Sequence, residues 1–204
     1  MTSRREQKKQ ETFDSIVSAA DRLFQAVGYR ETTIETIAED AGVSVGTVYN
    51  YFGTKHGIVL AVVTSDTEQA LLAASAAVDP FADDPVDALM PLVMTYVDAM
   101  TALGRDVIKE LFRAGFDPAG SAMMTELMSL DERSIVQIAE TLVLLAGHGL
   151  VSDEVDIASA SILIYSVAVV AILMFVSMPS TSAEDVEAVI RGQLTLVFHG
   201  IGTA

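Results

Sequence analysis

Apolar residues recur at intervals of three and four along nearly the whole chain, and no stretch alternates apolar with polar residues as a half-buried strand would. The spacing of Phe13, Ile16 and Phe24 is typical of one face of an amphipathic helix at about residues 9–27. Comparable spacing predicts a short helix before Gly42, and then helices at about 44–52, 55–77, 86–103, 105–115, 121–147, 154–177 and 183–200. We therefore predict an all-α protein with about nine helices.

Capping residues mark the ends of the first three helices. Gly28 stands where a C-terminal cap is expected. Thr32 with Glu35 three residues later has the pattern of a capping box, which predicts the start of the second helix. Ser44 is a good N-cap for a third helix that ends at Phe52. The N-terminal part of the chain therefore consists of one long and two short helices.

The two short helices are joined by residues 42–44, and a tight turn containing glycine is typical of a helix-turn-helix. In this motif the first helix braces the second, which enters the major groove of DNA. Val48 and Phe52 are four residues apart and can face the core together. Gly46 allows close backbone approach to a ligand, and Lys55 begins the next helix. The side chains left on or near the outer surface are those of Thr47, Tyr49, Asn50 and Tyr51.

Charge is distributed unevenly, and this restricts where a polyanion can bind. Residues 1–56 hold seven Lys or Arg and eight Asp or Glu, whereas residues 57–204 hold five and twenty. The first part is therefore the place for DNA to dock, since the rest repels it. The chain has no cysteine and three scattered histidines, so we expect neither a metal site nor a cofactor. No apolar run follows the basic residues near the N-terminus, so we expect a cytoplasmic protein.

Residues 32–58, TTIETIAEDAGVSVGTVYNYFGTKHGI, carry a family resemblance. They resemble the DNA-binding segment of the tetracycline-repressor-like (TetR) family of bacterial transcription regulators, whose pattern runs roughly T-x-x-x-I-A-x-x-A-G-V-S-x-G-T-x-Y-x-Y-F-x-x-K-x-x-L. This chain has Ile58 in place of the last leucine. The matching positions are Thr33, Ile37, Ala38, Ala41, Gly42, Val43, Ser44, Gly46, Thr47, Tyr49, Tyr51, Phe52 and Lys55. The resemblance covers about residues 10–60, and beyond them it extends only to the number, length and order of the helices.

The resemblance implies roles for individual residues. It implies that Thr33, Tyr49, Tyr51 and Lys55 bind phosphates, that Val45, Gly46 and Asn50 read bases, and that Thr47 does one or the other. The predicted DNA-binding set is thus Thr33, Ser44, Val45, Gly46, Thr47, Tyr49, Asn50, Tyr51 and Lys55. Packing is the alternative for Tyr51. The basic residues at 4–9 are either an arm on the DNA or a solvated tail.

The rest of the chain is a second, larger helical part. We place the DNA-binding domain at residues 1–54 and a ligand-binding and dimerisation domain at 55–204, with the helix at about 55–77 bridging them. Residues 157–183 contain no charged side chain, which favours a helix buried on all sides over a membrane span. One face would meet its own core and the other a second copy of the chain, as the resemblance also implies. The predicted interface residues are Ile172, Val189, Leu194, Val197 and Phe198.

Methionines and aromatic residues are common in this larger part. Methionine fills irregular space and suits adaptable binding surfaces, so these residues predict an apolar ligand cavity, with ordinary core packing as the alternative. The predicted lining residues are Met94, Tyr96, Phe112, Phe116, Met124, Met128, Tyr165 and Met174. The tyrosines would supply the few polar contacts.

Together these features predict a ligand-responsive DNA-binding transcriptional regulator. The expected mechanism is that of a repressor which binds a palindromic operator as a homodimer and is released by a small hydrophobic effector. The alternative is a helical small-molecule-binding or scaffolding protein without specific DNA binding. We expect no enzymatic activity, because the chain lacks a G-x-S-x-G elbow and a glycine loop that cradles phosphate.

Overall fold

The regular secondary structure of the described residues consists of α-helices. A computed structural model gives helices α1 (Arg4–Glu31), α2 (Ile34–Asp40), α3 (Val45–Phe52), α4 (Lys55–Ala77), α5 (Pro85–Ala102), α6 (Arg105–Gly115), α7 (Ser121–Gly147), α8 (Ile157–Ser177) and α9 (Ala183–His199). The structure describes residues 3–115 and 121–200, apart from some side chains within α4, α6 and α7. These residues form nine helices and no strand, which confirms the predicted all-α class.

The chain packs into two compact units. The first unit consists of residues up to 66 together with 102–127, so it contains α1, α2, α3, the start of α4, and α6. The second consists of residues 67–101 and those from 128 onward, and contains most of α5 and α7 together with α8 and α9. The functional boundary predicted at residue 54 stays a prediction.

The core of the first unit comes from the apolar faces that the spacing predicted. Ile16 on α1, Ile37 on α2, Val48 on α3 and Ile58 on α4 are fully buried. Burying one such side chain contributes about 1.5–3 kcal/mol. α1 packs against both α2 and α6, and α2 packs against α3. The two short helices are thus fixed to the long first helix rather than relying on their own marginal stability.

The ends of the first two helices differ from the sequence predictions. α1 begins at Arg4 instead of residue 9, because the Ser3 hydroxyl accepts from the backbone N–H of Glu6 while the Glu6 carboxylate accepts from the N–H of Ser3. The predicted capping pair of Thr32 and Glu35 is wrong by one residue. Thr33 caps α2, with Thr36 as its partner.

Thr32 has a different role, which explains the shift of the cap. Its side chain is buried, and both its hydroxyl and its backbone N–H donate to the carbonyl of Gly28. These two bonds satisfy a carbonyl at the break of α1, where Gly28 has a φ of 85°. Thr32 is therefore the C-cap of α1, and its side chain is not available as the N-cap of α2.

The second unit is built around α8 and α9, which pack against each other. Its fully buried side chains include Leu89 on α5, Leu142 on α7, Ile164 on α8 and Ile190 on α9. α8 begins at Ile157, three residues later than predicted, because Asp156 caps it and residues 152–155 form a turn.

α8 is long and apolar enough to cross a membrane by length and composition alone. One of its faces, including Ile164 and Ala168, is buried within its own unit. The opposite face is exposed. The prediction of burial on one side by the same chain is confirmed, and the partner of the other face stays a prediction.

Candidate nucleic-acid interface

α3 is positioned by its cap and by one buried residue. The Ser44 hydroxyl accepts from the N–H of Thr47 at 3.1 Å and lies 2.8 Å from the Thr47 hydroxyl. The turn before it depends on Gly42, whose φ of 68° is in the left-handed region that favours glycine. Val48 is fully buried beneath the helix. The capped end and the buried anchor fix which face of α3 points outward.

The outward face of α3 carries uncharged polar groups. Gly46, Tyr49 and Asn50 are exposed, with Tyr49 half accessible to solvent, and Val45 and Thr47 are partly exposed. Hydroxyl and amide groups can donate to phosphate oxygens or to base edges without carrying net charge. The structure therefore brings six predicted residues, from Ser44 to Asn50 apart from buried Val48, onto one exposed segment.

Tyr51 has a packing role. Its hydroxyl donates to the backbone carbonyl of Lys9 at 3.2 Å, and its ring centroid lies 6.5 Å from that of Phe13. Phe52 packs closer to Phe13, at 5.1 Å between centroids. Tyr51 is half-buried as a result. The packing alternative for this residue is present in the structure, and its predicted phosphate contact stays a prediction.

The basic residues near the N-terminus are helical and exposed, and their predicted contact with the DNA backbone stays a prediction. The capping box at Ser3 draws them into the first turns of α1. There an open groove of about 870 Å³ runs between α1 and α3. Its basic side chains are Arg5, Lys8 and Lys9, and α3 contributes Thr47, Asn50 and Tyr51. Cationic and neutral donors therefore line one surface, together with the carboxylate of Glu6.

Lys55 is the first residue of α4, and Thr33 is the N-cap of α2. Lys55 donates to the backbone carbonyl of Tyr29, and its ammonium lies 4.0 Å from the centre of the Tyr29 ring. Desolvation lowers the pKa of Lys55 from its ordinary value of 10.5. Thr33 is exposed at the N-cap of α2. Lys55 is held by the end of α1 in this structure, whereas the side chain of Thr33 borders solvent.

The sequence prediction missed two residues at the start of α4. A Cβ on Gly57 would lie 2.2 Å from the backbone carbonyl oxygen of Phe52, so α3 and α4 approach each other at a distance that only glycine permits. His56 Nε2 lies 2.7 Å from Oε1 of Glu110 on α6. Gly57 could have been noted in the sequence as a further glycine near the motif. No local sequence pattern could show that His56 and Glu110, which are 54 positions apart, are in contact.

The predicted ligand residues are only partly brought together. The hydroxyl oxygens of Tyr96 and Tyr165 lie 3.5 Å apart beside a cavity of about 10 Å³. That volume is close to the minimum for one water molecule, so this cavity does not hold a hydrophobic effector as it stands.

The other predicted ligand residues are dispersed. Met94 lines a shallow surface cleft, Met174 is half-buried and Met128 is largely exposed. Phe112 belongs to the first unit. Phe116 and the side chain of Met124 lie outside the described residues.

The predicted dimer residues also divide into two groups. Ile172 and Leu194 are buried in the core of the second unit, so this part of the predicted surface is wrong. Val189, Val197 and Phe198 are half-buried. α8 is apolar on every side, so its sequence does not reveal which face the protomer covers. The apolar side chains that remain exposed on α8 and α9 are Ile162, Leu163, Val170, Leu173 and Leu196.

α2 and α3 pack against each other and are joined by the turn at Gly42, which is the arrangement of a helix-turn-helix. Residues 16–62 match the family described as "Bacterial regulatory proteins, tetR family". The chain is 35% identical over 96 residues to the transcriptional regulator TtgR of Pseudomonas putida, a match that covers 46% of this chain and 45% of TtgR. The matched segment therefore spans less than half the length of that relative.

Solved structures resemble the chain over nearly its whole length. The fatty acid degradation regulator FadR of Bacillus halodurans has a TM-score of 0.70 at 18% identity, with 95% of this chain and 97% of that chain covered. FadR of Thermus thermophilus, a transcriptional repressor in complex with lauroyl-CoA, has a TM-score of 0.64 at 22% identity, with 94% and 96% covered. At these identities the likeness concerns the fold. The tetR family thus matches residues 16–62, and the solved structures extend the likeness in fold to nearly the whole chain.

Proposed function

We propose that this chain is a DNA-binding transcriptional regulator that uses α3 as its recognition helix. One observation carries the proposal: the exposed segment from Ser44 to Asn50 belongs to a tetR-family domain and borders the basic side chains of α1. The major groove of DNA is about 12 Å wide and admits one α-helix. A helix fixed through Val48 can enter it without exposing the core.

The residues in the proposed interface have different roles. Val45, Gly46 and Asn50 face the bases, because they lie along the exposed side of α3. Tyr49 and Thr33 contact phosphates, and Thr47 contacts either a phosphate or a base. Such neutral donors position the duplex while adding nothing to counterion release.

Cationic contacts come from two places. Arg5, Lys8 and Lys9 follow the sugar-phosphate backbone along the groove beside α3. Lys55 exchanges its Tyr29 contact for a phosphate when DNA binds. Because few basic residues take part, we expect the affinity of each protomer to depend only modestly on salt.

The regulator acts as a homodimer that reads a near-palindromic operator. The exposed apolar face of α8, with Leu163 and Val170, supplies the surface on which a second copy packs. An exposed row of large apolar side chains on an otherwise acidic protein is a candidate interface. Two recognition helices must reach successive major grooves about 34–36 Å apart, which a two-fold dimer achieves.

A hydrophobic effector releases the dimer from its operator. α4 runs through both units of the chain, so a change in the second unit can reach the residues that follow α3. Tenfold relief of repression requires the effector to favour the DNA-incompetent state by about 1.4 kcal/mol. The protein acts in the cytoplasm, where the operator is, and without a membrane or an enzymatic reaction.

Selection from a pool of random duplexes tests the proposal directly. Enrichment of a near-palindrome by the full-length protein supports a regulator. Recovery of unrelated sequences at equal frequency supports the alternative, a helical binding or scaffolding protein. Because specific and non-specific binding depend differently on salt, the selection is run at one fixed salt concentration near the physiological value.

A further inference from the structure

A row of partly buried polar side chains lies within the second unit. The Tyr165 hydroxyl on α8 donates to the carboxylate of Asp131 on α7. The Tyr96 hydroxyl on α5 lies 3.5 Å from the Tyr165 oxygen, with ring centroids 6.0 Å apart and inclined at 51°. Three helices thus contribute one polar group each to the same spot.

Burying these polar groups lowers the stability of the fold. Desolvation raises the pKa of Asp131 above its ordinary value of 3.8 and that of Tyr96 to about 12. Leucine or phenylalanine at these positions would pack the same three helices without burying polar groups. The separation of the two tyrosine oxygens is at the long limit of a hydrogen bond, so the chain of groups is incompletely satisfied. A polar cluster that the packing does not require, and that has bonding capacity left, is a candidate for ligand recognition.

The cavity beside the two tyrosines has one polar side and an apolar remainder. Its other lining residues are Leu92, Val93, Ser134, Ile138 and Ala168. The hydroxyl of Ser134 already donates to the carbonyl of Leu130 at 3.1 Å. The polar side chains left in the lining are therefore Tyr96 and Tyr165, and Asp131 is joined to them as the acceptor of the Tyr165 hydroxyl. A volume of about 10 Å³ means that a ligand larger than water must move α5, α7 and α8 apart.

The charge of the cluster limits the chemistry of the ligand. Among the described residues that line the cavity or contact the two tyrosines, none is basic, and Asp131 carries the single charge. Beside this partly buried carboxylate a second negative charge is repelled, whereas an ammonium or a hydroxyl group gains an acceptor.

We propose that Tyr96, Tyr165 and Asp131 form the polar end of the effector site, and that the effector is an apolar molecule ending in a hydrogen-bond donor without negative charge. This inference rests on the proposed effector-responsive regulator. It distinguishes the effector from lauroyl-CoA, the anionic ligand of the Thermus thermophilus structure. Ligand entry separates the three helices, which gives the effector a direct mechanical effect on the second unit.

Four probes that share one apolar body test the chemistry of the head group. They are 4-phenylbutylamine, 4-phenylbutanol, 4-phenylbutyrate and butylbenzene, titrated calorimetrically into the full-length protein near neutral pH without DNA. We expect the amine and the alcohol to bind at least about tenfold more tightly than the carboxylate. Because the chain has five tyrosines and no tryptophan, the long-wavelength band of its difference spectrum, beyond the absorption of phenylalanine and of the probes' phenyl rings, reports on tyrosines, and the amine should perturb it.

Two variants locate the site. Asp131→Asn should reduce amine affinity about tenfold relative to alcohol affinity, since the amide keeps an acceptor for Tyr165 but loses the charge. Glu132→Gln, the same change at the exposed neighbouring position, should leave that ratio unchanged. Tyr165→Phe should weaken both probes and remove part of the difference spectrum.

Three results overturn the inference: binding of the carboxylate as tight as that of the amine, an unchanged amine-to-alcohol ratio in Asp131→Asn, or no saturable binding of amine and alcohol. The titrations contain no DNA, so they are independent of operator binding. A protein that selects a palindrome but prefers the carboxylate probe refutes the effector chemistry and leaves the regulator intact. The reverse pattern refutes the regulator alone.

Discussion

His56 at the start of α4 and Glu110 on α6 are joined within the first unit by a 2.7 Å contact between Nε2 and Oε1. Arg113 donates to the same carboxylate, to Oε1 and also to Oε2 at 3.1 Å. Since α4 directly follows the proposed recognition helix, this carboxylate links α6 to the residues that fix the end of α3. The pKa of Glu110 lies below its ordinary value of 4.5, mainly because Arg113 and then His56 donate hydrogen bonds to its charged form.

Glu110→Gln should lower the free energy of unfolding by about 1–2 kcal/mol near neutral pH, as expected when charged hydrogen bonds are lost. A carboxyl whose folded-state pKa is depressed contributes stability above its unfolded pKa, and the contribution is lost as the pH falls through the folded value. The difference between wild type and variant should therefore be full at about pH 7 and shrink below about pH 4.5. Urea unfolding across this range is the measurement, and a difference independent of pH would show that the charge is not involved.

Gly57→Ala should distort the junction of α3 and α4. The new methyl group would meet the backbone carbonyl of Phe52 at 2.2 Å, so one helix must shift. We expect a loss of about 1–3 kcal/mol, typical of overpacking, together with weaker operator binding.

Gly46→Ala is the matched control for stability. A Cβ at Gly46 meets the Ser44 hydroxyl oxygen at 3.8 Å, an ordinary contact, and alanine favours a helix interior by about 0.5–1 kcal/mol. Thermal unfolding of both variants measures the difference in their stability. If Gly57→Ala were as stable as Gly46→Ala, the close approach of α3 and α4 would be wrong.

The basic side chains at the start of α1 should determine part of the salt dependence of DNA binding. Arg5 and Lys8 line the groove beside α3. If each neutralises one phosphate per protomer, Arg5→Ala with Lys8→Ala should reduce the slope of log affinity against log salt by about two for each protomer bound. Arg30→Ala, an exposed position on the other end of α1, is the control and should leave the slope unchanged. An unchanged slope in the double variant would remove α1 from the interface.

The exposed face of α8 should hold the dimer together. Leu163 is half accessible to solvent there, so Leu163→Asp places a charge in the proposed interface and should yield monomers in sedimentation velocity. Val27→Asp is the control, because Val27 is exposed to a similar extent on α1, in the first unit. A Leu163→Asp protein that sediments as a dimer would place the interface elsewhere.

The helices were predictable from the sequence because their apolar residues recur at helical spacing and their ends carry strong signals. Ser44 caps α3 as predicted, and α3 ends at Phe52. The signal was weaker where two residues competed for one role. Thr32 and Thr33 both suit an N-cap, but Thr32 instead donates its hydrogen bonds to the carbonyl of Gly28, four residues earlier.

The candidate site was less completely predictable. The exposed segment of α3 followed from the position of Val48, whereas the hydrogen bond from Tyr51 to Lys9 joins residues 42 positions apart, which no local sequence pattern pairs. The covered face of α8 could not be inferred, because an apolar helix offers no contrast between its sides. Asp131 carried no local signal, since one carboxylate on a long helix resembles any solvated residue until Tyr165 is placed beside it.

The affinity of Tyr49→Ala and Asn50→Ala for the selected operator and for a scrambled duplex, at one salt concentration, tests DNA recognition by α3 most directly. Tyr49→Ala should weaken binding to both duplexes, since a phosphate contact carries no sequence information, and Asn50→Ala should reduce operator binding by about 1–3 kcal/mol while leaving the scrambled duplex unaffected. Both side chains are exposed, so neither variant should unfold. Two folded variants with wild-type affinity for both duplexes would contradict recognition through α3.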